Sequence, residues 1–221
     1  LQIYDVPILY FPKFFHPDPT VKRRSGFLQP QFNNSQTLGS SLYTPYFKTL
    51  GDDMDLTFKP TFFETKSDNK KYILQNEFRK ENKDSSLIAD FALIKSYKSS
   101  SDNKKKNINH FFLNYDKDLK LPNFLESKID AKIERVSNDT YLKVFRQNLF
   151  DTPILPGNSS TMTSNINLSL DHEDYNLTTG IVAYENLGTK HSDRYQYTLP
   201  YYDFSKDLTS LISDNSINGF L

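Results

Sequence analysis

The feature that most constrains the fold is an alternation of apolar and polar side chains, which recurs in segments about ten residues long. The segments are DLTFKPTFFE (55–64), KYILQNEFRK (71–80), SLIADFALIKSY (86–97), SKIDAKIERVS (127–137), NINLSLDHED (165–174) and RYQYTLPYYDF (194–204). In the first segment Leu56, Phe58 and Phe62 share one face, whereas Ile73 interrupts the pattern in the second. A period of two predicts antiparallel strands with one apolar and one polar face.

Short polar stretches separate these segments and read as turns or loops: KSDNKK (66–71), KENKDS (80–85), SSSDNKKKN (99–107) and PGNSS (156–160). We predict roughly ten strands and no helix. Consecutive strands with short connections are typical of an up-and-down barrel, and roughly 9–11 residues is the length of a tilted strand that crosses a bilayer. The expected fold class is therefore all-β, an antiparallel up-and-down transmembrane β-barrel.

Periodicity alone does not separate a membrane barrel from a soluble antiparallel sandwich, because both alternate apolar and polar residues. A soluble secreted adhesin or binding sandwich therefore remains an alternative at this point. Phe and Tyr supply 14% of the residues without any Trp, although the mean hydropathy is low at −0.63. In a barrel, aromatic residues near strand ends are expected to form interfacial girdles. The candidates are Tyr43, Phe47, Tyr115, Tyr141, Tyr201 and Tyr202.

Composition and motifs argue against several other classes of protein. The 27 basic and 27 acidic residues give a formal net charge of zero, which argues against a nucleic-acid partner bound through a basic field. The chain has no cysteine, its four histidines lack ligand spacing, and the run 171–174 reads as a solvated turn. Neither a glycine-rich phosphate loop nor a nucleophile elbow is present. We therefore expect no enzymatic activity, no metal and no cofactor.

The first 20 residues differ from the rest because they are dense in apolar residues and proline. LQIYDVPILYFPKFFHPDP predicts one or two short edge strands, followed by an irregular connector that leads to Arg23 and Arg24. The sequence starts at Leu1 within an apolar stretch, without the basic region of a signal peptide, which suggests a fragment of a longer protein. We expect residues 1–20 to end one domain and residues 21–221 to begin the next.

Residues 25–60 carry a more specific signal: SGFLQP, then a glycine, then TPYF, then DLTFKP. This order resembles the opening of the barrel in the family of the lipopolysaccharide-assembly protein LptD, also called organic solvent tolerance protein. The residues that match the family pattern are Ser25, Gly26, Phe27, Leu28, Pro30, Gly39, Pro45, Tyr46, Phe47, Asp55, Thr57 and Pro60. Similarity continues in patches through 76–80, 136–142 and 194–202, and VPILYFPKF (6–14) resembles the family's exit from its periplasmic jellyroll.

The resemblance implies a two-part protein in the outer membrane of Gram-negative bacteria. In that family a periplasmic β-jellyroll receives lipopolysaccharide from an LptA-like bridge protein, and a large barrel plugged by an LptE-like lipoprotein delivers it to the outer leaflet. Residues 1–20 are then expected to end the jellyroll in the periplasm, and residues 21–221 to form the first part of the barrel among outer-membrane lipids. The implied function is non-enzymatic transport and assembly of lipopolysaccharide. A general outer-membrane porin or transporter barrel is the alternative.

Pro30 and Pro45 lie in the first two predicted strands, where proline is unusual because it has no N–H to give to a ladder. In the family that the chain resembles, prolines at these motif positions weaken a lateral gate. Acyl chains slide through that gate into the bilayer, while the sugars leave through the lumen. By motif position we expect Pro30 and Pro45 to serve such a gate. The alternative is that both prolines occupy bulges or strand ends, as edge prolines often do.

An alternating apolar face in the N-terminal segment gives a second hypothesis about the lipid. The residues on that face are Val6, Ile8, Tyr10 and Phe14. They are expected to line the end of an apolar groove that shields acyl chains from periplasmic water. Packing in the core of the jellyroll accounts for the same residues equally well.

Overall fold

A computed structural model describes residues 2–3, 6–7, 23–35, 38–64, 71–97, 106–189 and 191–206. Its main feature is an antiparallel sheet of twelve strands, and two short strands, β1 (Gln2–Ile3) and β2 (Val6–Pro7), pair with each other. The sheet opens with four short strands: β3 (Gly26–Phe27), β4 (Gln31–Ser35), β5 (Gly39–Tyr43) and β6 (Tyr46–Thr49). Eight long strands follow: β7 (Met54–Phe63), β8 (Tyr72–Asn82), β9 (Ser85–Tyr97), β10 (Lys106–Asp118), β11 (Glu126–Val136), β12 (Thr161–Asp171), β13 (Tyr175–Asn186) and β14 (Tyr195–Lys206).

The order of strands in the sheet follows the order in the chain. β5 and β6 both pair with β7 in one continuous register, so they are two halves of a single interrupted span. β3 and β4 are likewise the two halves of the first span, because they pair with β6 and β5. The twelve strands therefore make ten spans that run alternately up and down. This confirms the expected all-β, antiparallel up-and-down fold as a partial barrel.

The predicted alternation sorts side chains onto two faces of the sheet. In β7, Thr57, Lys59 and Thr61 are buried, whereas Phe58 and Phe62 are exposed. The same apolar, exposed face continues across the later strands. Its large members are Leu74, Phe91, Leu93, Phe111, Ile166, Ile181 and Leu199. We call this the outer face, and the opposite, partly buried one the inner face.

One connection folds back over the inner face, and this was not expected from the sequence. Residues 137–160, here called the inner strap, join β11 to β12 and contain a helix, α1 (Tyr141–Phe145), and a 3₁₀ turn (Arg146–Asn148). The prediction that the chain has no helix is wrong here, because a five-residue helix is too short to display a 3.6-residue period. Among the described residues, no helix combines the length and the hydropathy of a membrane span.

The inner strap explains why the inner face is apolar in one patch. Tyr141, Leu142 and Phe145 of the strap are at most 2% exposed. They share one buried cluster with residues of the sheet: Phe63, Ile73, Ile94, Ile108, Phe112 and Met162. Ile73, which interrupts the alternation in the sequence, therefore faces the strap rather than breaking the strand. Each fully buried side chain of this size contributes about 1.5–3 kcal/mol.

The connections at the two ends of the sheet differ in length. At one end the strands are joined by residues 50–53, 83–84, 119–125 and 172–174. At the other end they are joined by residues 64–71, 98–105, the inner strap and 187–194. The connection between β4 and β5 is short although it lies at the second end. Gly39, the first residue of β5, has a φ of 85°, which a residue with a Cβ adopts only at a cost. Asp171 ends β12 and residues 172–174 form a short turn, so the run 171–174 lies at the end of a strand, as predicted.

Several of the aromatic residues predicted for interfacial girdles lie elsewhere. Tyr43 and Tyr141 are 6% and 0% exposed and belong to the inner face and the strap, so the prediction is wrong for both. Tyr201 also turns inward, because a bulge in β14 shifts its register against β13. Its hydroxyl donates to Asn167 Oδ1 at 2.8 Å. Tyr202 is 78% exposed and does lie on the outer face.

Candidate functional site

The first edge of the sheet brings together two of the residues predicted from the sequence. β3 and β4 pair with the second span, and on their other side no strand of the described part of the chain lies next to them. Pro30 falls between β3 and β4, and Pro45 falls between β5 and β6. Pro30 is exposed and Pro45 is buried. The two prolines therefore stand on adjacent spans, at the point where each span is interrupted.

The register between these two spans slips by one residue at the prolines. Phe27 of β3 opposes Tyr46 of β6, whereas Gln31 of β4 opposes Tyr43 of β5, so an advance of four residues along the first span is matched by an advance of three along the second. Residues 28–30 consequently oppose only residues 44–45, which is the geometry of a β-bulge. The backbone N–H of Leu28 donates to the carbonyl of Pro45 at 2.9 Å across this interruption. Both prolines thus occupy a bulge, as in the alternative interpretation of the sequence. Pro45 accepts a hydrogen bond across the bulge but has no N–H with which to donate one.

A third proline, Pro60 of β7, acts on the same level of the sheet. Its carbonyl accepts a bond of 3.2 Å from the N–H of Thr44. In an antiparallel ladder the N–H and C=O of one residue point to the same neighbour, so an accepting residue normally returns a bond. Neither Pro45 nor Pro60 has an N–H to return. The second span therefore lacks one bond on each side, worth about 1 kcal/mol each.

Side chains fasten the base of the first two spans. Arg23 forms an ion pair with Asp55 of β7, and its guanidinium carbon lies 5.4 Å from the ring centre of Phe47. Ser25 Oγ accepts a bond of 3.0 Å from the backbone N–H of Thr49. The chain just before β3 is therefore held against β6 and β7. The weak pairing begins above this base.

A buried polar cluster lies on the inner face beneath the strap. Lys59 Nζ is 2.7 Å from Glu77 Oε2 and 3.6 Å from Asp90 Oδ2. Asp90 Oδ1 lies 2.6 Å from His110 Nε2, and His110 Nδ1 lies 2.7 Å from the hydroxyl of Tyr141. All five side chains are at most 2% exposed. Removing one partner from such a cluster leaves a buried charge unpaired, which costs about 3–5 kcal/mol.

Hydrogen bonding assigns a role to each group at the end of this cluster. The carboxylate of Asp90 accepts from His110 Nε2, and in the tautomer that carries its proton on Nε2 the Nδ1 atom accepts from the Tyr141 hydroxyl. Burial raises the pKa of Tyr141 above its ordinary value, and the charge of Asp90 raises it further. The hydroxyl therefore stays protonated and remains a donor. This chain of bonds attaches the strap to β10.

The cluster is built for attachment rather than for chemistry on a ligand. Its groups are buried and bonded to one another, so no nucleophile or base among them is open to a substrate. Within the residues that the structure describes, no group of three or more His, Asp or Glu side chains is arranged to hold a metal ion.

The predicted residues of the lipid path are only partly covered. Val6 belongs to β2, and Ile8, Tyr10 and Phe14 lie outside the described residues. The proposed division between residues 1–20 and 21–221 falls in the same undescribed stretch. These expectations stay predictions.

Sequence reasoning missed the bond that Pro60 fails to return to the second span, and it missed the cluster around His110. Pro60 was visible in the motif DLTFKP, but its effect depends on which neighbour its carbonyl faces. His110 was noted only as one of four scattered histidines. The available signal was the period of two, since it places His110 on the same face of β10 as Ile108 and Phe112, both of which are buried.

Comparison with known proteins adds an independent result. A family model described as LptD protein matches residues 1–214. The LPS-assembly protein LptD of Shewanella denitrificans is 45% identical over 60 residues, which is 27% of this chain and 8% of that protein. The same-named proteins of Shewanella frigidimarina and Pseudoalteromonas translucida are 39% identical over 66 residues and 37% identical over 79 residues. Those matches cover 30% and 36% of this chain, and 8% and 10% of the relatives' own length.

Proposed function

The chain belongs to the LptD protein family, and from that membership we propose that it is part of a protein that transports and assembles lipopolysaccharide at the outer membrane of Gram-negative bacteria. Transport by this route is non-enzymatic, because the sheet offers a path and two environments rather than reacting groups. The observation that carries the proposal is the interrupted first edge of an otherwise regular sheet. At this edge the strands share the fewest backbone hydrogen bonds, so a lipid that passes between strands has the fewest hydrogen bonds to break.

The two faces of the sheet suit the two parts of a lipopolysaccharide. The outer face exposes aromatic and aliphatic side chains such as Phe62, Phe91 and Phe111, as expected of strands that face acyl chains. The inner face carries a polar cavity of about 570 Å³ whose lining includes Asn114, Asp116 and Asn165. Hydroxyl and charged groups of a sugar can exchange hydrogen bonds with such a lining. The sheet thus separates a polar route from an apolar one.

We propose that Pro30 and Pro45 serve a lateral gate at this edge, and Pro60 joins them. Each missing return bond weakens the second span by about 1 kcal/mol. The weakening is larger where the partner group would face hydrocarbon rather than water. Acyl chains would pass sideways between the first span and a later part of the barrel. The bulge at residues 28–30 supports this role, and it is equally the feature that an ordinary edge proline would produce.

The lengths of the connections support an orientation in the membrane. Outer-membrane barrels have short periplasmic turns and longer extracellular loops. The end with residues 50–53 and 83–84 would then face the periplasm, and the inner strap would enter the lumen from outside. The chain before β3 would reach the barrel from the periplasmic side, where the end of a jellyroll is proposed for residues 1–20.

The proposed partners are an LptE-like plug lipoprotein in the lumen, an LptA-like bridge protein, lipopolysaccharide and outer-membrane lipids. Val6, Ile8, Tyr10 and Phe14 would close the end of the apolar groove that guides the acyl chains. Photocrosslinkers at Ile8 and Tyr10 that capture lipopolysaccharide would support the groove, and crosslinks to protein alone would support core packing. The family match favours lipopolysaccharide assembly over a general porin or transporter barrel.

The gate is tested by giving the first two spans their missing donors. Replacing Pro30→Ala and Pro45→Ala together in the full-length protein should tighten the pairing and slow the appearance of lipopolysaccharide on the cell surface several-fold. A Pro200→Ala variant controls for proline removal in a strand far from this edge. Surface lipopolysaccharide is measured by pulse-labelling. Export at the wild-type rate in the double variant would contradict the gate.

A further inference from the structure

The inner strap reaches past its own neighbours and touches the first two spans. Asn33 Nδ2, on β4, donates to the backbone carbonyl of Gln147 at 2.7 Å. The ring of Phe150 stacks on Tyr43 of β5, with a centroid distance of 4.5 Å and an angle of 11° between the planes. A connection between β11 and β12 therefore contacts β4, the outermost strand at the first edge of the described sheet.

Phe150 is itself held firmly by the regular part of the sheet. Its backbone N–H donates to Gln75 Oε1 at 2.8 Å, and its carbonyl accepts from Gln75 Nε2 at 3.1 Å. Lys59 Nζ lies 4.8 Å from the centre of the Phe150 ring, within the range of a cation–π contact. Gln75 in turn donates to Asp90, so Phe150 is linked to the buried polar cluster. One residue of the strap thus joins the rigid part of the sheet to the first hairpin.

These contacts lie on the upper half of the hairpin, beyond the prolines. Asn33 and Tyr43 belong to β4 and β5, whereas the side-chain bonds of Arg23 and Ser25 hold the base. The interrupted level at residues 28–30 and 44–45 lies between the two attachments. Without the strap, the upper half of the first span would be held by the five-residue pairing of β4 with β5. Strands this short and unsupported are marginally stable.

We infer that the inner strap is a clamp on the upper half of the first hairpin, with Phe150 and the carbonyl of Gln147 as its positioning contacts. The clamp compensates from the lumenal side for the backbone bonds that the prolines remove. Any event that lifts the strap, such as the passage of a bulky polar group along the inner face, would free β4 and β5 to move. The clamp is a property of the folded protein and holds whether or not the proposed lipid route is correct.

The clamp is tested by the mobility of the hairpin in the full-length protein in lipid nanodiscs. Nitroxide labels at Phe32→Cys and Phe91→Cys, both on the outer face, report the distance between β4 and β9 by electron–electron double resonance. Phe150→Ala should broaden that distance distribution about twofold, and Phe150→Tyr, which keeps the ring, should leave it narrow. Asn33→Ala should give a smaller broadening and serves as the milder variant if Phe150→Ala folds poorly.

Asn34 supplies the matched control. It is the neighbour of Asn33 in β4, and the alternation of the strand places its side chain on the outer face, away from the strap, so Asn34→Ala should leave the distribution unchanged. A second label pair at Phe91 and Ile166 reports the regular part of the sheet and should stay narrow in every variant. Equal broadening of both pairs would mean general loosening and would overturn the clamp. An unchanged distribution in both Phe150→Ala and Asn33→Ala would overturn it as well.

Discussion

The first two spans and the eight that follow are parts of one sheet, yet they are held together in different ways. The ladder from β7 to β14 consists of strands of 10–13 residues with long continuous registers. The first two spans consist of strands of two to five residues, broken at the same level. In the long strands the backbone supplies the cohesion. In the first hairpin, side chains of the base and the inner strap replace part of it.

The difference shows that a sheet can keep its topology while its bonding varies along the edge. Pro45 and Pro60 remove return bonds without removing the strands, because their carbonyls still accept. Pro200 of β14 lies at the other edge of the described sheet, where a bulge of one extra residue accommodates it and the pairing with β13 continues on both sides of the bulge. The first edge differs because Pro45 and Pro60 each leave a return bond unmade on the same span.

The largest expected effect comes from breaking the polar cluster in the regular part. Asp90→Ala removes the partner of His110 and Gln75 and leaves Lys59 with one carboxylate, which should lower the free energy of unfolding by about 3–5 kcal/mol. Asp84→Ala is the control, since it breaks an exposed ion pair worth roughly 0.2–1 kcal/mol. Urea unfolding of the full-length protein in vesicles measures both. Equal stability of the two variants would mean that the cluster does not anchor the strap.

A smaller effect is expected from one substitution made in each region. At Gly180 of β13 an added Cβ would lie 2.5 Å from the carbonyl oxygen of Ile166 and from Asn167 Oδ1. Gly180→Ala should therefore cost about 1–3 kcal/mol. At Gly26 of β3 nothing lies within 4 Å, and Gly26→Ala should change stability by less than about 0.5 kcal/mol.

The stabilities of the Gly180→Ala and Gly26→Ala variants are compared by thermal unfolding in the same vesicles. A loss at Gly26 as large as that at Gly180 would show that the first hairpin is packed as tightly as the rest. In that case the contrast between the two regions would not hold.

The regular part of the molecule follows from its sequence because each strand carries its own signal. In β7 the alternation of Thr57, Phe58 and Lys59 gave both the strand and its two faces, and the spans number ten as expected. The placement of Pro30 and Pro45 on the first two, adjacent spans also followed from local sequence, whereas their position at interruptions had been the alternative interpretation. These features depend on neighbours in the chain or on the next strand.

The inner strap and its contacts did not follow from the sequence, because they join residues far apart in the chain. α1 is too short for a helical period, and Tyr141 looked like an aromatic residue at a strand end. The stack of Phe150 on Tyr43 depends on how a connection folds across the four strands between β11 and β5, and no local pattern encodes it. Ile73 was a visible sign, because it is an apolar residue on an otherwise polar face of β8. An apolar residue on the polar face of a predicted strand thus indicates that another segment of the chain packs on that face.

Amide hydrogen exchange in the full-length protein compares the two regions most directly. Amides of β4, β5 and β6 should exchange about tenfold faster or more than those of β9 and β10, since local opening needs fewer bonds to break. Pro45→Ala combined with Pro60→Ala should slow exchange in β4–β6 about fivefold or more, because each restored bond adds about 1 kcal/mol. Equal protection of the two regions in the wild-type protein, or unchanged exchange in the double variant, would contradict a first edge weakened by its prolines.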